Sequence, residues 1–189
     1  DIPALLVVCR AAAKTQGSTW DDHYPNAEIL SEDVGHSALY KIMAGDDIIG
    51  LLSCGETGEL SMLSDPSCGA RPFDFARFGI HPRCQGKGFG HAALAAAVGL
   101  CARLGGTSVR VLVSPGNPAA LRVYQREGFE IVRRVHLWEE IIYIAESAFP
   151  IIDKKTGGHM NANEIFYRFS PLVQDFIYCL LYTSDAADD

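Results

Sequence analysis

The sequence predicts a mixed α/β domain in which helices flank one central sheet. Three observations support this: a helical pattern opens the chain, three strand-like segments follow, and helix and strand patterns then alternate. Because the first strands follow one another without intervening helices, the order does not fit a regularly alternating, doubly wound sheet. The length of 189 residues fits a single domain.

The chain opens with a predicted helix over Ile2–Lys14, in which the apolar residues recur at helical spacing. Asp1 can cap this helix, and Pro3 lies in the first turn, where a missing N–H costs little. The polar and aromatic segment Thr19–Ser31 is predicted to be a loop or a short irregular helix.

Strand patterns come next. The segments Ala38–Met43 and Ile48–Cys54 are rich in β-forming residues and are joined by Ala-Gly-Asp-Asp, which indicates a hairpin. After the turn-rich stretch Gly55–Pro72, a third strand is predicted over Phe73–Ile80, ending before Pro82.

The clearest helix of the second half is Asn117–Glu127. Asn117 is a good N-cap, Pro118 occupies the first helical position, and Gly128 follows the helix end. The segment Leu137–Ile144 fits either a strand or a helix. The other predicted elements are a helix over Gly88–Leu104, strands over Ser108–Val113 and Phe129–Val135, a loop over Asp153–Asn163 and a last strand over Glu164–Phe169.

Composition excludes several classes of function. The net charge of −7 argues against non-specific nucleic-acid binding, and no apolar run is long enough to span a membrane. Six cysteines occur without any Cys-x-x-Cys pair, which is typical of reduced thiols in a cytoplasmic protein. Asp21, Asp22 and His23 are interpreted as loop residues, because adjacent positions rarely converge on one ion, and no metal site is predicted.

The segment Phe78–Gly90 carries the strongest chemical signal, because a strand ends there and a glycine-rich loop opens a helix. Unpaired N–H groups and the helix dipole favour a phosphate at such a place. A nucleotide-binding P-loop is excluded because Lys87 is followed by Gly88 rather than by a hydroxyl residue. A dinucleotide fingerprint fails because its third glycine is replaced by His91.

Two motifs resemble the GNAT family of N-acetyltransferases. Gln85-x-x-Gly88-x-Gly90, after a strand that ends in Ile-His-Pro, resembles the family's motif A, and the run from Asn117 to Phe129 is similar to its motif B. Trp20…Tyr24-Pro25 and Ile48-Ile49-Gly50 resemble the family's amino half less specifically. The resemblance covers about residues 1–135.

This resemblance implies a mixed, mostly antiparallel central sheet flanked by helices, with splayed strands at an acetyl-CoA site. It implies acetyl-CoA as co-substrate and direct transfer of the acetyl group to an amine. The expected cofactor-binding residues are Phe78, Gly79, Ile80, Arg83, Gln85, Gly86, Lys87, Gly88, Phe89, Gly90, Asn117, Ala120 and Tyr124.

The resemblance also suggests catalytic roles. Tyr124 is expected to protonate the leaving thiolate, although a purely structural role packed on Phe129 is the alternative. The backbone N–H of Ile80 is expected to stabilise the oxyanion. The general base stays open; the candidates are a water chain and three acids, Glu56, Glu59 and Asp74.

We expect one domain over residues 1–170, with an atypical extension over 136–163 and a disordered or non-native tail over 171–189. The family's first strand is expected to be missing, because the chain begins at the first helix. The predicted function is N-acetylation of a small-molecule or peptide amine; the alternative is a non-catalytic acyl-CoA sensor on the same fold. We expect no nucleic acid or membrane as a partner, and a homodimer is left open.

Overall fold

The structure, a computed structural model, describes residues 1–56, 71–137 and 140–148. Within these residues the helices are α1 (Ile2–Ala13), α2 (Ala27–Gly35), α3 (Phe89–Arg103) and α4 (Pro118–Arg126), with a short 3-10 helix at Pro82–Cys84. The strands are β1 (Leu39–Ala44), β2 (Asp47–Gly55), β3 (Pro72–Ile80), β4 (Ser108–Val113), β5 (Glu130–Leu137) and β6 (Glu140–Ala148).

The six strands form one sheet in the order β1-β2-β3-β4-β6-β5. Within the described residues, β3 and β4 pair in parallel and the other neighbours are antiparallel, which confirms the predicted mixed, mostly antiparallel sheet. The segment Leu137–Ile144, left open between strand and helix, enters β6, which lies between β4 and β5. Part of the predicted extension therefore belongs to the sheet itself.

Helices cover both faces of the sheet, as predicted. On one face, α3 and α4 pack over a core that includes Phe75, Leu94 and Phe129. On the other face, α1 and α2 pack through residues such as Leu5 and Leu30. Alternate side chains of each strand point to opposite faces, so both layers are held by the same short strands.

Two local predictions at the amino end need correction. The Asp1 side chain does not cap α1; its carboxylate forms an ion pair with Lys41 Nζ at 2.6 Å. The segment Thr19–Ser31 is divided between a loop and a regular helix, because Asn26 accepts a hydrogen bond from the Ile29 N–H and starts α2. The Asn26 side chain is a favourable N-cap.

No helix among the described residues is long and apolar enough to cross a membrane. In the same part of the chain, no group of three or more His, Cys, Asp or Glu side chains is placed to hold a metal ion. The predicted loop over Asp153–Asn163, the last strand over Glu164–Phe169 and the tail over 171–189 lie outside the described residues, so the domain division stays a prediction.

Candidate active site

A gap opens between β3 and β4 at the centre of the sheet. The two strands pair from Pro72–Ser108 to Phe75–Val111, whereas β3 continues to Ile80 without further pairing to β4. The strands therefore diverge beyond Phe75, as the resemblance predicted. We call the space between them the gap.

A bulge in β3 lies just beyond the point where the two strands diverge. Between the pairs Leu51–Gly79 and Ser53–Ala76, β3 contains one residue more than β2. Arg77, within this bulge, has a φ of +50°, a conformation that L-residues rarely adopt. Because a bulge bends its strand and increases the local twist, this one accounts for the separation of the end of β3 from β4.

The backbone N–H of Ile80 points into the gap. Gly50 lies opposite Ile80, and the His81 N–H donates to the Ile49 carbonyl at 2.7 Å. In an antiparallel ladder this pattern makes Gly50 and Ile80 a non-hydrogen-bonded pair, whose N–H groups face away from each other. The Ile80 N–H is therefore directed to the side that β4 has left.

The glycine loop, Gln85–Gly90, leads from this strand end into α3. Gln85 Nε2 donates to the Ile80 carbonyl at 2.9 Å and ties the loop to β3. Gly86 and Gly88 have φ values of +72° and +87°, and Gly88 is the N-cap of α3. At both glycines the position that a Cβ would occupy is open for 4 Å, so the backbone is accessible to a ligand.

The first turn of α3 supplies donors for an anion. The first hydrogen bond of the helix runs from the Ala92 N–H to the Gly88 carbonyl at 3.0 Å. The preceding N–H groups, from Phe89 to His91, have no intrahelical acceptor, and the helix dipole adds positive potential. The loop residues Gln85, Gly86, Gly88 and Gly90 line an open cleft around the gap with a volume of about 2280 Å³. This geometry suits a pyrophosphate.

Three of the predicted cofactor residues lie outside the cleft walls in the described part of the chain. Phe89 packs against a buried apolar cluster that includes Ile42. The Arg83 side chain is 60% exposed, with its guanidinium 4.0 Å from the Asp47 carboxylate, and Lys87 is also exposed. Arg83 and Lys87 therefore supply positive charge near the loop without being held in place.

The first turns of α4 form another wall of the cleft. Asn117 Oδ1 accepts a hydrogen bond from the Ala120 N–H at 3.0 Å, which confirms Asn117 as the N-cap. Asn117, Ala120 and Tyr124 all line the cleft, so they share one face of α4 as their spacing predicted. Because the cap uses the side-chain oxygen, the amide N–H groups of Asn117 stay available to a ligand.

Tyr124 lines the cleft and also belongs to the core. Its ring lies 5.4 Å from that of Phe129 and 6.3 Å from that of Phe78, measured between centroids, and the residue is only 6% exposed. Burial raises the pKa of the Tyr124 phenol above its ordinary value. The hydroxyl therefore stays protonated at neutral pH, as a proton donor requires.

Comparisons with known proteins bear on this arrangement. The family model for the Acetyltransferase (GNAT) family matches residues 6–129. The chain belongs to the GNAT acetyltransferase family. Comparison with curated proteins finds none that matches.

Solved structures share the GNAT fold at low sequence identity. Ard1 from Thermoplasma volcanium is 17% identical with a TM-score of 0.61, over 79% of this chain and 94% of that one. The PaiA N-acetyltransferase from Thermoplasma acidophilum, in complex with coenzyme A, is 17% identical with a TM-score of 0.61, over 79% and 93%. A spermidine N-acetyltransferase SpeG chimera from Vibrio cholerae and hSSAT is 17% identical with a TM-score of 0.57, over 78% and 91%.

Two of the acids suggested as general base, Glu56 and Asp74, line the same cleft but lie at the end of the sheet remote from Ile80. Asp74 on β3 is six residues before Ile80, a separation of roughly 20 Å along a strand. Glu56 follows Gly55, which pairs with Asp74, so it lies at the same far end. The proposed mechanism therefore gives neither acid the role of general base. Glu59 lies outside the described residues.

Both of these acids are also engaged by arginines. The two Glu56 oxygens accept from Arg71 at 2.6 and 2.9 Å, and this hydrogen bonding lowers the pKa of Glu56. Asp74, buried in the sheet, accepts from Arg110 at 2.8 and 2.6 Å. A carboxylate paired with a guanidinium is a poor proton acceptor.

The structure adds site residues that the sequence did not single out. His91 lines the cleft in the first turn of α3, and its Nδ1 contacts the carboxylate of Glu127 at the end of α4. Burial raises the pKa of Glu127. The only sequence signal for His91 was that it breaks the dinucleotide fingerprint.

The α1–α2 loop, residues 14–26, closes the gap on the side opposite the glycine loop. The ring of Trp20 lies against Gly79, where a Cβ would collide with it. Gly17 lies against the Gly116 carbonyl, in the connection between β4 and α4, with no room for a Cβ. The loop therefore contacts the chain on both sides of the gap.

Proposed function

We propose that this GNAT domain is an acetyl-CoA-dependent N-acetyltransferase that transfers the acetyl group directly to an amine of a small molecule or peptide. The observation that carries the proposal is the gap. The Ile80 N–H points into it from β3, Tyr124 of α4 lines the cleft around it, and the glycine loop lies at the end of β3. Donors for an anion, an oxyanion and a leaving group thus belong to one cleft.

The described residues fit coenzyme A. Gly88 leaves open the space that a Cβ would fill, and the first-turn N–H groups of α3 would hold the pyrophosphate. The amide group of Asn117 would donate to the pantetheine arm. Acetyl-CoA supplies an acetyl thioester, whose carbonyl carbon accepts the amine nitrogen.

Each catalytic group has one task. The Ile80 N–H would donate to the thioester carbonyl oxygen as negative charge grows on it. The new C–N bond forms while the C–S bond breaks, and the Tyr124 hydroxyl would protonate the departing sulfur. The acceptor nitrogen must be neutral to attack. The proton that this nitrogen loses as the C–N bond forms passes to water, and water returns a proton to the Tyr124 oxygen. No covalent intermediate on the chain is required.

A cationic amine is the favoured class of acceptor. The net charge of −7 attracts cations to the protein surface. One solved GNAT structure with the same fold is named a spermidine N-acetyltransferase, which supports a polyamine as the first candidate to assay. A peptide amino terminus is the second.

We also infer a reducing compartment, the cytoplasm. Cys9, Cys54, Cys84 and Cys101 are free thiols and all are buried. Secreted domains of this size commonly oxidise their cysteines to disulfides, whereas cytosolic proteins keep them reduced.

Thiol release from acetyl-CoA tests the proposed activity. We expect release that depends on added spermidine or on a short peptide with a free amino terminus, together with a rise in melting temperature when CoA alone is added. If neither amine is acetylated, the proposed transferase activity is wrong; if CoA also fails to stabilise the protein, the proposed coenzyme site is wrong as well.

A non-catalytic acyl-CoA sensor is the second candidate. It is favoured by one observation: Glu56 and Asp74, the two described candidates for a general base, are ion-paired and distant from Ile80. Stabilisation by CoA without acetylation of either amine would support the sensor in place of the enzyme.

A further inference from the structure

A buried ion pair lies directly behind the bulge. Arg77 donates to both oxygens of Asp33 on α2, through Nε at 2.5 Å and Nη2 at 2.6 Å. Ser53 on β2 donates to the same carboxylate and accepts from Arg77 Nε at 3.2 Å. The Arg77 and Asp33 side chains are 5% and 7% exposed. Three elements therefore meet at one charged contact.

The same guanidinium also interacts with the side chain of Tyr24 in the α1–α2 loop, which helps to raise the pKa of Arg77. Tyr24 is partly exposed and lines the cleft, as does Trp20, whose ring rests on Gly79 two residues beyond Arg77. The loop that closes the gap is thus anchored at the bulge by Tyr24 and, through Asp33, by the helix that follows it.

We propose that the Asp33–Arg77 pair is a positioning device for the acceptor amine: it fixes α2 and the α1–α2 loop to the β3 bulge and so sets the wall opposite the coenzyme. This inference rests on the proposed acetyl transfer, since it assigns the acceptor to that side of the gap. Because the Arg77 and Asp33 side chains are buried and paired with each other, we assign them no contact with the reacting atoms; they would act through Trp20 and Tyr24.

Burial of the charges supports a specific role. Removing two charges from water is costly, and apolar residues of similar size would often stabilise a core as well or better. A bidentate Arg–carboxylate contact adds defined geometry, which an apolar contact lacks. That geometry is found at Arg77, which lies in the bulge with a φ of +50°, so the residue at the irregular point of the strand is also the one that pairs with α2.

The chain contains a matched control. Arg110 and Asp74 form a second buried Arg–Asp pair, with side chains 5% and 3% exposed, within the paired part of β3 and β4. Arg110→Gln and Arg77→Gln each leave one buried carboxylate without its arginine, so both should lower stability. Only the second should alter the acceptor wall.

Hydrogen exchange followed by mass spectrometry tests the anchoring. In Arg77→Gln and in Asp33→Asn, exchange in residues 15–36 should rise roughly tenfold or more relative to wild type, while α3 keeps its protection. In Arg110→Gln, residues 15–36 should exchange as in wild type. Unchanged exchange of residues 15–36 in Asp33→Asn, or an equal rise in Arg110→Gln, would overturn the inference.

Kinetics test the consequence for the acceptor, with spermidine and a short peptide as probes. We expect kcat/KM for the amine to fall by about ten- to a hundredfold in Asp33→Asn, the cost of a misplacement of about 1 Å, with the Kd of CoA unchanged. A fall no larger than in Arg110→Gln would contradict the inference. If wild type acetylates neither amine, the proposed function fails, and the exchange data still decide whether the pair anchors the loop.

Discussion

Replacing Gly88 by valine tests the coenzyme site separately from the rest of the fold. Gly88 has a φ of +87° and caps α3, and its Cβ position is open. The Cβ of the valine should meet no protein atom, so the main cost to the free protein is the left-handed backbone, about 1–2 kcal/mol or more. A bound pyrophosphate would meet the new side chain directly.

The expected loss of affinity follows from the displaced hydrogen bonds. If the side chain keeps the phosphates from two of the N–H groups of α3, the loss is about 1.5–3 kcal/mol for each bond to a charged group. The affinity for CoA should therefore fall by about a hundredfold or more.

Isothermal calorimetry with CoA measures this change, and Gly128→Val is the control. Gly128 has a φ of +80° and an equally open Cβ position, but it follows α4 and carries no predicted role in binding. Both variants should lose comparable stability, and only Gly88→Val should lose affinity for CoA. Equal affinity of Gly88→Val and wild type would refute the assignment of the glycine loop.

Three further predictions concern single groups. Asn117→Ala should lower the free energy of unfolding, measured in urea, by about 1 kcal/mol through loss of the cap, and it should also weaken CoA binding. Asn117→Ser should restore the stability but not the affinity for CoA. If Asn117→Ser restores both, the proposed contact with pantetheine is wrong. Glu56→Gln should leave kcat unchanged, because Glu56 is paired with Arg71 at the end of the sheet remote from Ile80. A large fall in kcat would indicate that Glu56 is the general base. Burial raises the pKa of Tyr124, so deprotonation of Tyr124 should lower kcat only above pH 10. A fall in kcat below pH 10 that is absent in Tyr124→Phe would contradict the role of a buried proton donor.

Local signals explain why parts of the site were predictable. Asn117, Pro118 and Gly128 specify the start and end of α4 within a few residues, and the structure places Tyr124 on the expected face. The glycine loop follows the same logic, since positive φ at Gly86 and Gly88 needs glycine. Such signals act over one or two turns of chain, which a sequence displays directly.

Features that depend on distant pairing could not be predicted. The insertion of β6 between β4 and β5 joins segments that the local pattern treats separately. The bulge at Arg77 becomes visible only once the register with β2 is known. Asp1 was expected to cap α1 from its position alone. The competing ion pair with Lys41 lies 40 residues away along the chain, so the local pattern did not indicate it.

The same limitation applies to the candidates for the general base, which stay predictions. Glu56 and Asp74 were chosen because they lie near or within strands, but antiparallel register carries them to the end of the sheet opposite Ile80. Asp33, the buried acid of the proposed positioning pair, lies on a helix that the sequence predicted only in part.

The central claim is that acetyl transfer takes place in the gap, with Tyr124 as the proton donor. The kcat of Tyr124→Phe, measured beside the Kd of CoA, tests this claim most directly, and Tyr143→Phe on β6 is the control for loss of a phenol outside the cleft. We expect kcat and kcat/KM of Tyr124→Phe to fall together by about 10²-fold with the Kd of CoA unchanged, and Tyr143→Phe to resemble wild type. Turnover by Tyr124→Phe within about twofold of wild type, well short of a general-acid contribution, would contradict the claim.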